Sequence, residues 1–174
     1  MKLNKKNFTD FLISVRQLKE ISDEIIKEID ILDLKDPLKG SIGSWDISDI
    51  KLVTSSLKKK VKISATLGDI YNNSIFLKKL EIFDRLNLNF IKFGLLAHKR
   101  QNLLEKVKLV NQKKYRTNLV CVVFVDHLST MKIVGNNLKL FSESGVKYLL
   151  LDTFQKDSGD LLKFCSINYL KKFI

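Results

Sequence analysis

The chain has 174 residues, 45% of them hydrophobic and 29% charged, and its formal net charge is +12. This length suits one compact domain with a real core and is too short for two. Its one proline and seven glycines argue against a disordered or fibrous protein. No apolar run approaches the roughly 18 residues of a membrane-spanning helix. The N-terminal segment is basic and then only briefly apolar, unlike a secretory signal, so we expect a cytoplasmic protein.

Apolar strand-like runs alternate with amphipathic helical stretches along the whole chain. In chain order, the pattern predicts strand 11–15, helix 17–29, strand 30–35, helix 46–59, strand 61–66 and helix 74–86. It continues with strand 88–94, helix 98–113, strand 119–126, helix 129–142, strand 146–152 and a short helix 159–165. Six β-α units in strict alternation predict an α/β fold with a parallel sheet covered by helices, because parallel neighbours need crossover connections.

Two α/β architectures fit this alternation: a doubly wound open sheet and a (β/α) barrel. A glycine-rich phosphate turn of the GxGxxG or P-loop type is absent after every predicted strand. The open sheet therefore lacks its usual nucleotide-site support.

The basic charge at first suggests a nucleic-acid partner. Only four of the 31 basic residues are arginines, however, and the lysines lie mostly at element ends instead of along one face. A solvated lysine surface explains the charge better, so nucleic acid is not the expected partner, although the excess could steer an anionic substrate.

Cys121 and Cys165 are predicted to be buried thiols. The two histidines, His98 and His127, have no metal-ligand spacing, so we expect no metal.

Polar residues collect at the C-terminal ends of the predicted strands. The set comprises Asp33, Lys35, Ser64, Thr66, Lys92, Asp126 and Asp152. Side chains alternate across a strand, so Asp33 and Lys35 share a face. In a barrel such faces converge at the mouth, where catalytic residues come from several strand ends.

Each of these residues also has a purely structural interpretation. Lys92 could pack its stem and extend its ammonium group to solvent, Asp152 could cap a turn, and Asp33 with Lys35 could form a structural ion pair. Polar residues at five strand ends together favour a site. A desolvated lysine beside another cation has a lowered pKa and can attack a carbonyl as a free amine. Lysines on neighbouring strands, with carboxylates to move protons, therefore suggest class I aldolase-type iminium chemistry.

Four motifs, DLKDPLKGSIG, SATLGD, FIKFGL and LLDTFQKDSG, occur in an order and spacing that resemble the (5-formylfuran-3-yl)methyl phosphate synthases. This family is also called the 4-(hydroxymethyl)-2-furancarboxaldehyde-phosphate synthases, and the initial FLISVR is similar to its start. The resemblance covers nearly the whole chain. It implies a TIM-type barrel lyase, without metal or organic cofactor, that condenses two molecules of glyceraldehyde 3-phosphate through a lysine Schiff base. The furan product serves methanofuran biosynthesis in the C1 metabolism of methanogens and some methylotrophic bacteria.

On the matching motifs, the resemblance implies that Lys35 forms the Schiff base and Lys92 donates protons. Asp33 and Asp152 fit the supporting carboxylates, and Lys156 fits a further basic group near the substrate. We add Ser64, Thr66 and Asp126 as candidate substrate-binding residues because of their places at strand ends.

The sequence departs from the family in the bulky fifth strand, VCVVFVD, and in its length. A full barrel takes about 250 residues, so residues 1–174 are expected to form a single barrel domain truncated after about six β-α units. Either the chain is a fragment or truncated gene product, or another chain completes the barrel. The open edges of such a sheet predict low stability or homo-oligomerisation. An alternative function is an inactive partial barrel that binds an anionic partner through its lysine-rich surface.

Overall fold

The structure, a computed structural model, describes residues 9–96, 103–144, 146–155, 157 and 159–171. All six predicted strands are present, as β1 (Leu12–Val15), β2 (Ile31–Leu34), β3 (Lys62–Thr66), β4 (Phe90–Gly94), β5 (Asn118–Phe124) and β6 (Tyr148–Asp152). The α-helices are α1 (Asp23–Glu28), α2 (Ile47–Leu57), α3 (Asn73–Asp84), α4 (Glu105–Asn111), α5 (Leu128–Gly135), α6 (Leu138–Glu143), α7 (Leu161–Phe164) and α8 (Ile167–Leu170).

The six strands form one sheet in the order β1-β2-β3-β4-β5-β6, and every neighbouring pair is parallel. A doubly wound sheet reverses direction and places its first strand in the interior. Here the first strand lies at an edge and each crossover advances the sheet by one strand. Of the two architectures, the order therefore matches the barrel-type winding, and the doubly wound alternative is wrong.

The two faces of the sheet have different compositions, because side chains alternate along each strand. The helix-covered face carries the main hydrophobic core, in which Leu32, Ile63 and Ile91 are fully buried beneath Phe76 and Leu80 of α3. The opposite face carries most of the predicted polar residues and a second, smaller apolar cluster. That cluster consists of Ile42, Leu96, Val122 and Phe124, against which Leu150 and Phe154 pack.

The sheet curls toward its polar face. Lys35, directly after β2, places its Nζ 3.1 Å from Oδ2 of Asp152 at the end of β6. In a flat sheet, strands four positions apart would lie roughly 19 Å from each other, further than these two side chains span. The contact therefore requires a strongly curved, half-barrel α/β sheet with the polar face inside.

The helices differ from the prediction mainly at their ends. The segment 17–29 forms a 3-10 turn at Leu18–Glu20, and α1 starts only after Ser22, whose hydroxyl accepts from the amide of Ile25. The helix predicted over 129–142 is two helices, because Gly135-Asn136-Asn137 is a run of poor helix formers. The helix predicted over 98–113 is described only from 103 onward and is regular over Glu105–Asn111.

The prediction for the thiols is confirmed, since Cys121 and Cys165 are both free and buried. Within the ranges that the structure describes, the helices are all too short or too polar to cross a membrane.

Candidate active site on the polar face

The polar face is organised by the register of β1 to β4. Asp33 lies beside Ser14 of β1 and Ser64 of β3, and Thr66 of β3 lies beside Lys92 of β4. The side chains contributed by β3 are small. Residues on β2 and β4 can therefore contact each other over β3, although the two strands are not neighbours.

Asp33 and Lys92 form the buried ion pair of this face. Lys92 Nζ lies 2.8 Å from Asp33 Oδ2, and the two side chains are 8% and 1% exposed. The hydroxyl of Ser14 donates to the same carboxylate oxygen at 2.9 Å. Two buried charges in such contact hold each other in a fixed position, because neither can find water as an alternative partner.

Lys35 and Asp152 form the second pair, nearer the rim. Their side chains are 17% and 25% exposed, so solvent and small molecules reach this pair more easily than the first. Asp152 Oδ1 also accepts from the main-chain amide of Thr153 at 2.8 Å, which fixes the carboxylate against the turn after β6. Lys35 is thus the more accessible of the two paired lysines.

The pairing differs from the one that sequence spacing suggests. Asp33 and Lys35 share a face, yet each is bonded to a partner on another strand. Lys35 directly follows β2 and Lys92 lies on β4, with β3 between these strands, so the two lysines are not on neighbouring strands as the sequence suggested. The interpretation of Asp33 with Lys35 as a structural ion pair is wrong, because the Asp33 carboxylate pairs with Lys92 and the Lys35 ammonium pairs with Asp152.

Two buried polar atoms on this face have no hydrogen-bond partner among the described residues. They are Oδ1 of Asp33 and Oγ of Ser64, on positions that face each other across β2 and β3. Both residues are at most 1% exposed. Unpartnered buried polar atoms are uncommon and destabilising, so these two are available to hydrogen-bond a hydroxyl or carbonyl group of a bound molecule.

The remaining predicted site residues have mainly structural contacts. The hydroxyl of Thr66 donates to the carbonyls of Gly43 at 2.7 Å and Leu34 at 3.2 Å. The carboxylate of Asp126 accepts from the amides of Phe154 at 2.9 Å and Gln155 at 2.9 Å. Although partial burial opposes ionisation, these amides hold the pKa of Asp126 below its ordinary value. Lys156 lies outside the described residues.

The loop after Lys35 is shaped by close backbone contacts. Gly40 has a φ of 125°, which side chains rarely adopt, and the carboxylate of Asp69 occupies the space a Cβ would take. That carboxylate accepts from the amides of Ser41 at 2.8 Å and Ile42 at 3.2 Å. The loop after β3 thereby holds the loop after β2 over the polar face.

Across the described ranges, the carboxylate, histidine and cysteine side chains nowhere gather in groups of three that could hold a metal ion. The chemistry available on this face is that of two amines, two carboxylates and the hydroxyls between them.

One buried lysine was missed in the sequence. Lys106 of α4 is 1% exposed, and its Nζ donates to the carbonyl of Ile70 and, at 3.4 Å, to that of Gly94. It thus ties the loop after β3 to the end of β4, two residues beyond Lys92. The available signal was its spacing, since Lys106 shares a helix face with Leu103 and Val110, both buried. Burial lowers the pKa of Lys106 to about 8.

The buried ammonium group of Lys106 should make stability depend on pH. In the unfolded chain its pKa is about 10.4. As pH rises above 8, the folded protein releases a proton that the unfolded chain keeps, so the free energy of unfolding rises with pH. We expect the free energy of unfolding of Lys106→Met, relative to that of wild type, to be highest near pH 7. This difference between the two proteins should fall by up to about 1.4 kcal/mol per pH unit toward about pH 9.

Urea unfolding followed by circular dichroism at several pH values measures this difference. Two titratable groups face Lys106: Asp69, and Cys121, whose pKa burial raises to about 12, so that it stays protonated in this range. Lys108→Met, on the exposed side of the same helix, is the matched control and should show no such trend. A pH-independent difference between Lys106→Met and wild type would contradict the assignment.

Comparison with known proteins agrees with the motifs of this face. A sequence model of the family described as 4-HFC-P synthase matches residues 11–174. The chain belongs to this family. Among curated relatives, a (5-formylfuran-3-yl)methyl phosphate synthase of Methanococcus aeolicus is 29% identical over 174 residues, covering 94% of this chain and 72% of the relative. The synthases of that name from Methanobrevibacter smithii and Methanocaldococcus jannaschii are 28% and 26% identical, with the same coverage.

The match to the 4-HFC-P synthase family includes every strand that contributes to the polar face. Asp33, Lys35, Lys92 and Asp152, the residues of the two ion pairs, all lie in motifs by which the sequence resembles this family. Membership in the family and the arrangement of charges on the polar face therefore point to the same part of the molecule.

Proposed function

We propose that this protein condenses two molecules of glyceraldehyde 3-phosphate into (5-formylfuran-3-yl)methyl phosphate, through a Schiff base on Lys35. The product would serve methanofuran-type cofactor biosynthesis. The observation that carries the proposal is the presence of two lysine–aspartate pairs on one curved face, one buried and one accessible. The family to which the chain belongs, and its relatives that are (5-formylfuran-3-yl)methyl phosphate synthases, support the same product.

The two pairs suit different steps. The amine of Lys35, with Asp152 holding its proton, attacks the aldehyde of one triose phosphate, and loss of water gives an iminium. Removal of the proton on C2 yields an enamine, which expels the C3 phosphate and leaves an enol conjugated to the iminium. The second triose phosphate reacts as its ketone isomer, formed by moving a proton from C2 to C1, and C3 of the enol forms the new C–C bond to that ketone carbon. Lys92, held by Asp33, donates the proton that the resulting alkoxide takes up.

Ring closure through the C1 hydroxyl of the ketone-derived half, two dehydrations and hydrolysis of the iminium then complete the furan. Two triose phosphates thus give one furan phosphate, one inorganic phosphate and two molecules of water. The unpartnered Asp33 Oδ1 and Ser64 Oγ would bind hydroxyl groups of the substrate during these steps. Lewis-acid or redox steps are not needed, because the iminium acts as the electron sink.

We further propose that the six-stranded sheet is part of a TIM-type barrel, whose interior the polar face lines and whose mouth lies at the carboxyl ends of the strands. The sequential parallel order and the curl toward the polar face support this.

The direct test is product formation. The protein, incubated with glyceraldehyde 3-phosphate, is expected to release inorganic phosphate and a furan aldehyde in equal amounts, measured by phosphate assay and by chromatography with mass detection. Phosphate release without furan would contradict the proposed reaction. Salt-sensitive nucleic-acid binding that Lys35→Ala and Lys92→Ala leave unchanged, in a protein that forms no furan, would favour the alternative of an anion-binding partial barrel.

A further inference from the structure

A small open cleft lies beside Lys35, between the end of β1 and the loop after β2. Its volume is about 250 Å³, and it is lined by Ser14, Arg16, Glu20, Lys35 and Pro37. The cleft therefore adjoins the accessible lysine and not the buried Lys92. Arg16 has no role in the reaction steps above and is not among the residues that the family resemblance assigns.

Arg16 is held in place by one edge of its guanidinium group. Its Nε donates to Oε1 of Glu20 at 2.6 Å, and its main-chain amide donates to Oε2 of the same carboxylate at 2.9 Å. Gln17 adds a third donor to Glu20, at 3.1 Å. The Nη groups of Arg16 make no hydrogen bond to any described residue, and its side chain is 52% exposed. A guanidinium fixed at Nε presents its remaining donors to a ligand.

The charge of the cleft favours an anion. Two cations, Arg16 and Lys35, line it against the single carboxylate of Glu20. The hydrogen bond from the Arg16 amide, helped by those from the Gln17 and Arg16 side chains, outweighs desolvation and keeps the pKa of Glu20 below its ordinary value, so this carboxylate stays ionised and bonded to its donors. The planar guanidinium group of an arginine can donate two parallel hydrogen bonds to two oxygens of one phosphate, which a lysine ammonium group cannot do.

We propose that this cleft is a phosphate-monoester subsite, in which Arg16 binds the phosphate of the aldehyde phosphate whose carbonyl group reacts with Lys35. The assignment rests on the proposed function for the identity of the aldehyde. Anchoring the phosphate beside the amine orients the aldehyde carbon for attack. It also discriminates against aldehydes without phosphate, because the arginine then loses its partner.

Binding of glycerol 3-phosphate, which has no carbonyl group and cannot form a Schiff base, tests the subsite by itself. By titration calorimetry, Arg16→Gln should weaken its binding at least about tenfold, and Arg16→Lys should weaken it less. Arg116→Gln removes the same charge from an exposed position just before β5 and should bind like wild type. Arg16→Gln should fold, since its pair with Glu20 is largely exposed and contributes little stability.

Trapping with borohydride tests the link to Lys35. Arg16→Gln should slow capture of glyceraldehyde 3-phosphate by at least about tenfold and leave capture of glyceraldehyde unchanged. Equal affinity of Arg16→Gln and wild type for glycerol 3-phosphate, or no binding by wild type, overturns the subsite. If wild type captures neither aldehyde, the proposed reaction fails, and the calorimetric result still decides whether the phosphate site exists.

Discussion

Replacing Lys35 with methionine should abolish the covalent capture of glyceraldehyde 3-phosphate under borohydride and lower the rate of furan formation by roughly 10³-fold or more. Methionine keeps much of the length and apolar stem of lysine but has no amine, so the iminium cannot form. The fold should persist, because the pair with Asp152 lies at the partly exposed rim, where water can reach the carboxylate that loses its partner.

Mass spectrometry of the reduced protein locates the adduct. The peptide that contains Lys35 should gain the mass of one reduced triose phosphate in wild type and none in Lys35→Met. Lys39→Met is the matched control, since Lys39 follows in the same loop, is 49% exposed and pairs with Asp36 and Asp46. An adduct that survives Lys35→Met at wild-type yield would remove Lys35 from the mechanism.

The strands and their faces could be predicted because the signal is local. In DILDLK the alternation of Leu32 and Leu34 with Asp33 and Lys35 already separates a buried face from a polar one. The helix-facing residues are fully buried in the main core, as alternation requires. The regular alternation of strands and helices, without a glycine-rich phosphate turn, favoured a barrel-type strand order over a doubly wound one. Only the observed pairing of the strands established that order.

Which lysine contacts which carboxylate could not be predicted. Lys35 contacts Asp152 because the sheet curves strongly between β2 and β6, which lie four positions apart. This curvature depends on the packing of the whole sheet, so no local sequence pattern predicts it. Lys92 meets Asp33 because the residues of β3 between them are small, and that matters only once the strand order is known. Proximity in the sequence favoured the wrong pairing, Asp33 with Lys35.

Tertiary contacts also decided what the other polar residues do. Asp126 was predicted to end its strand, but it lies in the turn two residues beyond β5, and its oxygens are bonded to the amides of the loop after β6. Lys106 looked like an ordinary surface lysine of a helix, although its helical spacing from Leu103 and Val110 placed it among buried neighbours. In both cases the sequence gives the type of residue but not the group that its side chain contacts.

The buried pair of Lys92 and Asp33 should have the largest effect on stability. Removing either partner leaves an uncompensated charge where both side chains are at most 8% exposed. We expect Lys92→Met and Asp33→Asn each to lower the free energy of unfolding by about 3–5 kcal/mol. The double variant carries no charge at these two positions and should lose less than the sum of the two, with a coupling energy of at least about 2 kcal/mol.

Urea unfolding of wild type, the two single variants and the double variant measures this coupling. The control is the surface pair of Asp10 and Lys62, whose side chains are 47% and 49% exposed. Lys62 Nζ lies 2.7 Å from Asp10 Oδ2. The cycle for this pair should give less than about 1 kcal/mol. Additive losses at Asp33 and Lys92 would mean that the two charges do not stabilise each other. If the double variant recovers stability but forms no furan phosphate, the pair of Lys92 and Asp33 serves proton transfer and not folding, because the protein then folds without charges at these two positions.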